Sequence, residues 1–471
     1  MVLNMHLMQS RRVAVARPSY RYARLLIVAL CVSAFGPYVV PVAGLRLEHC
    51  LIYGGLLYTL SFKLGFKWGR DAYRLLVLCT INFLWILMVS VPNLSWASPY
   101  RFCAVQQRFA GPIALIVVIY SAVVWLNRIE KLKLLRLAGI TIIALLGINT
   151  GVAILTVYFD TSSFLSHFIA IDEVTIETGS VMSSAATMGR ITGIFNQPVE
   201  NGLAYSIGML MWVYLATEVT RRGPLIWASL ILLVVGGLLA VSKIFLLVGL
   251  PTAMIYLIWT AVKSMRPDLH RFIIGLVLCG AAALVWLSTI GESAKWGGLN
   301  FLRETFAASN LHDEGVVSVV TAGRFGNGYS GVVGLFTETW MKSPVFGLGA
   351  PLADASRSLD NGYLEYFAYG GAVALAFYVS LLVVIGLAAW RGLNTDTKLG
   401  RLLIALWWVI VAAGVGGPVF TANRALVPLW VVMIVAFSCV AKEYPGNLLP
   451  RPRRDQNRSA VGQVSRGEEV A

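Results

Sequence analysis

The residues that could do chemistry are concentrated in three short polar segments of an otherwise apolar chain. The segments are Gly189–Gly202, Gly323–Gly349 and Ser358–Gly371, and their ionisable residues include Arg190, Glu200, Arg324, Asp360 and Glu365. Arginine binds phosphate oxygens through paired N–H donors, and a carboxylate can accept a proton when partial burial raises its pKa. These residue types could therefore bind phosphate and accept a proton, if the fold brings them together.

The composition decides what kind of fold must position these segments. Of the 471 residues, 58% are hydrophobic and 13% are charged, and the mean hydropathy is +0.74. Soluble domains contain about 25% charged residues, so the composition excludes a soluble protein. In a membrane protein, Lys and Arg gather on the cytoplasmic side. The net charge of +15 is therefore interpreted by position and does not indicate nucleic-acid binding.

Membrane spans were sought as stretches free of Asp, Glu, Lys and Arg, because a spanning helix needs roughly 20 mostly apolar residues. The chain contains twelve such stretches: 25–45, 50–62, 75–91, 109–127, 137–159, 201–217, 223–242, 244–262, 272–291, 366–390, 402–423 and 425–441. The seventh and eighth are divided only at Ser242 and Lys243.

The distribution of basic residues predicts the orientation. With the N-terminus inside, 27 of the 38 Lys and Arg residues fall in the cytoplasmic segments, although the outer loops are much longer. This bias predicts that both termini are cytoplasmic. We expect a cytoplasmic N-terminus at 1–24, a membrane domain at 25–441, and a disordered cytoplasmic tail at 442–471, which has too little apolar content to fold.

Two outer segments, 160–200 and 292–365, are longer than the other connections. The second follows the ninth span and precedes the tenth. Within it, apolar residues from Val332 to Trp340 recur at helical spacing before Pro344, which predicts a short amphipathic helix near the membrane. The predicted fold class is therefore all-α: a polytopic membrane protein with about twelve transmembrane helices and a large structured periplasmic loop between spans 9 and 10.

The order of the three segments resembles the pattern of the O-antigen ligase and O-antigen polymerase superfamily of bacterial membrane proteins. In that family an R-x-x-G-x-F-x-x-P segment leads into a span, as it does here from Arg190 to Pro198. A later outer loop carries Arg, a helix and P-x-x-G-x-G, and an H-N-x-x-L segment precedes a span. The resemblance covers roughly residues 185–390. The chain departs from the family pattern at Asp360, where the family has His, and at Val199-Glu200, where it often has Asn.

The resemblance implies an enzyme that uses a glycan attached through a diphosphate to a polyisoprenoid (undecaprenyl) lipid. The expected function is polymerisation of such repeat units into a surface polysaccharide (O-antigen, capsule or exopolysaccharide) at the periplasmic face of the bacterial inner membrane. The alternative is ligation of the glycan to lipid A core or another acceptor, and a transporter or flippase is a third hypothesis. Expected partners are the lipid-linked glycan, membrane lipids, and a chain-length regulator and a flippase of the same pathway.

For this chemistry, guanidinium groups would stabilise the leaving diphosphate as its charge develops. Arg190 and Arg324 are the first choice for this role, and contact with lipid phosphates is the alternative. Lys243 is a further candidate for substrate binding. Lys243 and Arg424 both lie at short span junctions, where their side chains could instead extend to the membrane surface.

A base must deprotonate the acceptor hydroxyl. Asp360 is the first choice because it stands where the family has His, and Glu365 and Glu200 are alternatives. Asp360 could instead be a turn residue in its Asp-Asn-Gly sequence. Asn361 and Tyr363 are expected to bind substrate, although Tyr is also common at membrane interfaces.

Other kinds of site are not predicted. The chain has no D-x-D motif and no P-loop, which disfavours a soluble sugar-nucleotide donor and an ATPase. His312-Asp313-Glu314 is considered as a metal cluster and set aside, because three adjacent residues cannot face one ion well on a helix. No metal and no cofactor is expected.

Overall fold

The computed structural model describes nine parts of the chain, and the fold below concerns these residues alone. They are 19–40, 45–61, 68–93, 99–168, 189–218, 224–264, 332–349, 361–421 and 423–440. The chain divides into two units, Met1–Val440 and Ala441–Ala471, and every described residue belongs to the first. The predicted ninth span, Arg324, Asp360 and the tail lie outside the described residues, as does most of both long outer segments.

The described residues are mostly helical. The helices are α1 (Tyr20–Ala34), α2 (Leu47–Ser61), α3 (Arg70–Ser90), α4 (Pro99–Val123), α5 (Arg128–Tyr158), α6 (Ser162–Ser166), α7 (Pro198–Glu218), α8 (Pro224–Leu239), a π-helix (Ile244–Gly249), α9 (Leu250–Ser264), α10 (Val332–Lys342), α11 (Gly362–Thr395), α12 (Thr397–Gly416) and α13 (Asn423–Val440). A 3₁₀ turn (Val91–Asn93) follows α3, and two short strands, β1 (Tyr38–Val40) and β2 (Leu45–Arg46), pair antiparallel.

Six helical segments are long and apolar enough to cross a membrane by length and composition. They are Arg70–Ser90, Gln106–Val123, Arg128–Tyr158, Ile244–Val262, Gly362–Thr395 and Thr397–Gly416. Pro224–Leu239 and Arg424–Val440 are shorter apolar helices. These helices confirm the expectation of a helical membrane protein by length and composition. The count of about twelve transmembrane helices stays a prediction.

Several helices begin before the predicted stretch because charged residues are tolerated in their first turns. For example, α5 starts at Arg128, where Asn127 and Glu130 form a reciprocal capping box. The prediction of a span over 25–45 is wrong in its second half. Helix α1 ends at Ala34, before Gly36 and Pro37, and the chain then enters the pair of short strands.

Helix α7 forms the centre of the packing. Nearly all its residues are buried, and it contacts α5, α8, the π-helix, α9, α12 and α13. A helix that is apolar on all sides belongs inside a bundle rather than on its surface. Because α7 begins at Pro198, the polar segment Gly189–Gly202 enters directly into this core.

Helix α10 is the helix that the spacing from Val332 to Trp340 predicts, and the turn after it is seated on a kink in α11. The kink lies at Gly370 and Gly371, where the backbone leaves helical geometry. Two hydrogen bonds join the pieces: the Leu348 N–H donates to the Ala368 carbonyl (2.7 Å), and the Ala372 N–H donates to the Pro344 carbonyl (2.8 Å).

Glycine is required where this turn meets the kink. Gly347 has φ +76°, and a Cβ atom there would lie 2.5 Å from the backbone nitrogen of Gly371. Strained backbone of this kind costs about 1–3 kcal/mol for a residue with a side chain. The turn can therefore approach α11 closely only with glycine at position 347.

We expect Gly347→Ala to lower the thermal unfolding temperature of the purified protein, with a loss of about 1–3 kcal/mol from the strained φ alone. Gly151→Ala in α5 is the control, because a Cβ atom there meets nothing within 4 Å. That control should be neutral or stabilising by about 0.5–1 kcal/mol. Equal unfolding temperatures for the two variants would contradict this account of the turn.

Candidate functional site

The segment before α7 is held by a buried side chain in the C-terminal half of α5. The Asn149 side-chain oxygen accepts a hydrogen bond from the Ile194 N–H (2.8 Å), and its Nδ2 donates to the Thr192 carbonyl (3.3 Å). Gly193 has φ +64°, and a Cβ atom there would collide with Asn149. The glycine of the R-x-x-G-x-F pattern therefore permits a left-handed turn pressed against α5.

A second layer of hydrogen bonds fixes Asn149 itself. Its Nδ2 donates to the Tyr205 hydroxyl (3.1 Å), which lies 2.8 Å from the Thr150 hydroxyl. Asn201 donates to the Thr192 carbonyl (3.0 Å) from the first turn of α7. These bonds join α5, α7 and the segment between them in one buried network, which favours a single arrangement of the segment.

Arg190 lies against a break between α8 and the π-helix. Its Nη2 donates to the Val241 carbonyl (3.3 Å), and the next residue, Ile191, donates its N–H to the Leu239 carbonyl (2.9 Å). Lys243 directly precedes the π-helix and belongs to the same break. The structure thus brings Arg190 and Lys243, both half-buried, to one place.

The backbone of this break is unusual. Val241 has φ +46° and is the one non-glycine residue with positive φ in the described part of the chain. A β-branched residue is a clear outlier in that region, and such strain, like π-helical turns, is concentrated at functional sites. The break confirms that the apolar run 223–262 is divided near Ser242 and Lys243.

Glu200 stands in the first turn of α7 and is buried, with 3% exposure. Its Oε1 accepts a hydrogen bond from the backbone N–H of Arg424 at the start of α13. Its Oε2 is buried and has no hydrogen-bond partner among the described residues. Gly202, two residues further along α7, packs directly against the Ser242 side chain, next to Lys243.

Arg424 is fully buried, so the prediction that its side chain extends to the membrane surface is wrong. Its guanidinium donates to the carbonyl oxygens of Ala34 (3.2 Å), Gly36 and Phe168 (3.2 Å). It also lies 5.4 Å from the centres of both the Tyr38 and the Phe168 rings. Backbone carbonyls and aromatic faces take the place of water around this cation.

An ion pair lies beside Glu200 and Arg424. Arg46 in β2 contacts Glu48 in α2 at 2.6 Å, with side-chain exposures of 4% and 1%. The backbone N–H of Arg46 donates to Nδ1 of His49 (3.1 Å). Burial and the neighbouring Arg46 lower the pKa of His49, which precedes the predicted second span, to about 3. His49 is therefore neutral near pH 7 and suited to accepting that hydrogen bond.

We call Arg46, Glu48, Glu200 and Arg424 the four-charge cluster. Its members come from β2, α2, α7 and α13, and electrostatic interactions link the two arginines with both glutamates. Two positive and two negative charges balance, which is the condition under which buried charges are tolerated. The sequence interpretation missed Arg46 and Glu48, whose one signal was opposite charges two residues apart at a span boundary.

The third segment has its own arrangement at the start of α11. Asn361 is the N-cap: its side-chain oxygen accepts from the Leu364 N–H (3.0 Å), and its Nδ2 donates to the Val415 carbonyl (3.1 Å). The Tyr363 hydroxyl donates to the Val411 carbonyl (3.0 Å). Both expected substrate-binding side chains are thus engaged with α12, and their role toward substrate stays a prediction.

Glu365 is buried in the first turn of α11, and its Oε2 accepts a hydrogen bond from the Thr421 hydroxyl (2.7 Å). Thr421 lies just before α13, and Arg424 lies in its first turn. Glu365 and Glu200 are therefore bonded to two residues only three positions apart in the chain. Arg324 and Asp360 lie outside the described residues. Their position relative to Arg190 and Glu200 therefore stays a prediction.

No group of three or more His, Cys, Asp or Glu side chains suited to a metal ion occurs within the nine described parts of the chain. No protein-family model and no curated protein sequence matches the chain. The assignment to the O-antigen ligase and polymerase superfamily therefore stays a hypothesis that rests on the quoted motifs. The candidate site itself rests on the geometry described above.

We expect Asn149→Ala to release the segment before α7, because the hydrogen bond that Asn149 accepts from Ile194 and the two that it donates to Thr192 and Tyr205 are lost. A buried group left without its partner costs about 1–3 kcal/mol. The released segment should expose Arg190, and limited trypsin digestion should cleave there faster than in the wild type. Thr80→Ala is the control, because it removes one hydrogen bond within α3 and should leave the rate of cleavage at Arg190 unchanged. Equal cleavage rates in the two variants would contradict this role for Asn149.

Proposed function

We propose that the protein is a membrane glycosyl-transfer enzyme that polymerises lipid-diphosphate-linked oligosaccharide repeat units into a surface polysaccharide. The observation that carries this proposal is the meeting of Arg190 and Lys243 at a strained helix break. Two cations at this break could bind the diphosphate of the donor. The start of α7, which carries Glu200, packs against this break through the contact between Gly202 and Ser242.

The difficult part of such a transfer is the departure of the diphosphate. Its negative charge grows as the bond to the sugar's anomeric carbon breaks, and cations already in place stabilise it without rearrangement. Arg190, Lys243 and Arg324 are proposed for this role. A carboxylate among Asp360, Glu365 and Glu200 is proposed to accept the proton of the acceptor hydroxyl.

The placement of buried charges supports an enzyme over an ion-coupled transporter. The buried Asp, Glu, Lys and Arg residues of the described chain are Arg46, Glu48, Lys131, Glu200, Glu365, Arg401 and Arg424. Each lies within the first five residues of a helix or just before one. Transporters driven by ions or protons carry such residues along a path at the middle of the membrane, and in the described helices the buried charges stand at the ends instead.

We further propose that the protein lies in a bacterial inner membrane, with both termini in the cytoplasm and the candidate site on the periplasmic side. The distribution of Lys and Arg supports this orientation. On that side, the donor would arrive from a flippase of the same pathway. A chain-length regulator and membrane lipids are the other proposed partners.

The direct experiment uses purified protein in lipid nanodiscs with a lipid-diphosphate-linked repeat unit. Polymer should form when the same repeat unit is also the acceptor. Transfer to a lipid A core acceptor without polymer would favour ligation. Movement of the donor across vesicle membranes, with neither product formed, would favour a flippase.

Replacing Arg190 by Ala should lower the rate of polymer formation on the order of 10–100-fold, since charge-assisted hydrogen bonds contribute about 1.5–3 kcal/mol each. Arg324→Ala should behave alike, and Lys at either position should restore part of the rate. Arg128→Ala is the control, because Arg128 pairs with Asp396 at an exposed position. Wild-type polymer yield and length in both Ala variants would remove these arginines from the site.

The orientation is tested by single cysteines, after replacement of the six native ones. A cysteine at Asn310 should react with a membrane-impermeant thiol reagent added to intact cells. Cysteines at Lys133 and Lys398 should react only after permeabilisation. Reaction of the Lys133 variant in intact cells would place the candidate site on the cytoplasmic side.

A further inference from the structure

The two oxygens of Glu200 have different environments. Oε1 is bonded to the backbone N–H of Arg424, whereas Oε2 is buried and has no hydrogen-bond partner among the described residues. A buried carboxylate oxygen normally has a partner, because an unpaired one costs free energy. The oxygens of Glu48 also lack a hydrogen-bond partner, but Glu48 is ion-paired with Arg46. Oε2 of Glu200 therefore keeps the capacity to accept a hydrogen bond from a ligand.

Arg424 fixes the position of Oε1. Its guanidinium is bonded to the carbonyl oxygens of Ala34, Gly36 and Phe168, so the start of α13 is tied to the end of α1 and to the second residue after α6. Because the backbone of the same residue holds Glu200, movement of the carboxylate would require movement of all these segments. The contacts of Arg424 are with the protein itself, which suits a positioning role.

The charges that face Glu200 come from two places. Arg424 belongs to α13, while Arg46 and Glu48 belong to β2 and α2. Arg46 is already paired with Glu48 at 2.6 Å, so Arg424 is the cation left to balance Glu200.

We infer that Glu200 is the catalytic base of the proposed transfer and that Arg424 is its positioning residue. The inference rests on the proposed function and selects one of the three carboxylates that it leaves open. Glu365, by comparison, accepts a hydrogen bond from Thr421. Glu200 is also the described carboxylate that lies two residues from the Gly202 contact with Ser242, next to Lys243.

In the proposed transfer, Glu200 Oε2 takes the proton of the acceptor hydroxyl. The electron pair of that O–H bond forms the new bond from oxygen to the anomeric carbon. The bond between the anomeric carbon and the diphosphate oxygen breaks, and its electron pair leaves on the diphosphate. The proton then passes from Glu200 to water or to the departing diphosphate.

The experiment measures the rate of polymer formation in nanodiscs from pH 4.5 to 8.5, together with binding of the lipid-linked donor. Glu200→Gln keeps an oxygen for the Arg424 N–H but cannot accept the proton. We expect a loss on the order of 10²–10⁴-fold with donor binding retained, since that is the usual contribution of a general base. Glu218→Gln, at the other end of α7, pairs with Arg136 and should keep the wild-type rate.

Arg424→Gln tests the positioning role by a readout that folding alone would not change. Losing the contacts of Arg424 should displace the Glu200 carboxylate, so kcat should fall while binding of the lipid-linked donor is retained. A merely structural role would lower donor binding and kcat together. Arg424→Lys keeps the charge and should restore part of kcat.

Should Glu200→Gln fail to fold, as judged by thermal unfolding, Glu200→Ala with added sodium formate replaces it, and formate should restore transfer in the Ala variant. A near-normal rate of polymer formation in Glu200→Gln would overturn the inference and leave the proposed function intact. The same conclusion would follow if Glu365→Gln or Asp360→Asn abolished polymer formation while Glu200→Gln stayed active. A wild-type protein that binds donor and forms no product would overturn both.

Discussion

The burial of the Arg424 guanidinium is the constraint on which the packing of the neighbouring helix ends depends. Removing a guanidinium from water is costly unless hydrogen bonds replace those to water, and here backbone carbonyls from Ala34, Gly36 and Phe168 accept from both terminal nitrogens. Those carbonyls are available because α1 ends early at Ala34 and α6 ends just before Phe168. The carbonyl oxygens left free near the ends of α1 and α6 thus form the site that binds the Arg424 guanidinium.

The same constraint explains how the candidate site is held. The backbone of Arg424 fixes Glu200, and Glu200 begins the most deeply buried helix, α7. Asn149 holds the preceding segment from the other side, which places Arg190 against the break at Val241. Two independent supports therefore converge on the stretch between Arg190 and Glu200, as expected where side chains must keep a defined geometry.

The sequence was sufficient for the elements that depend on local patterns. Charge-free stretches located the helices, the spacing from Val332 to Trp340 located α10, and the Ser242-Lys243 interruption marked a true break. The four-charge cluster could not be predicted, because its members lie in contact only after residues far apart in the chain are packed together. Arg424 was the clearest case: a cation at a span junction usually extends to the membrane surface, and tertiary contacts reverse that preference here. The sequence likewise predicted Asn361 as a substrate-binding residue but did not show that its side chain caps α11.

The central claim is that the donor diphosphate binds at the break beside Arg190 and Lys243, with Glu200 nearby. A cryo-electron microscopy structure of the protein in nanodiscs, with a non-transferable lipid-diphosphate glycan bound, tests this most directly. The account predicts diphosphate oxygens within hydrogen-bond distance of the Arg190 guanidinium and the Lys243 ammonium. Diphosphate bound elsewhere, with the break at Val241 unoccupied, would contradict it.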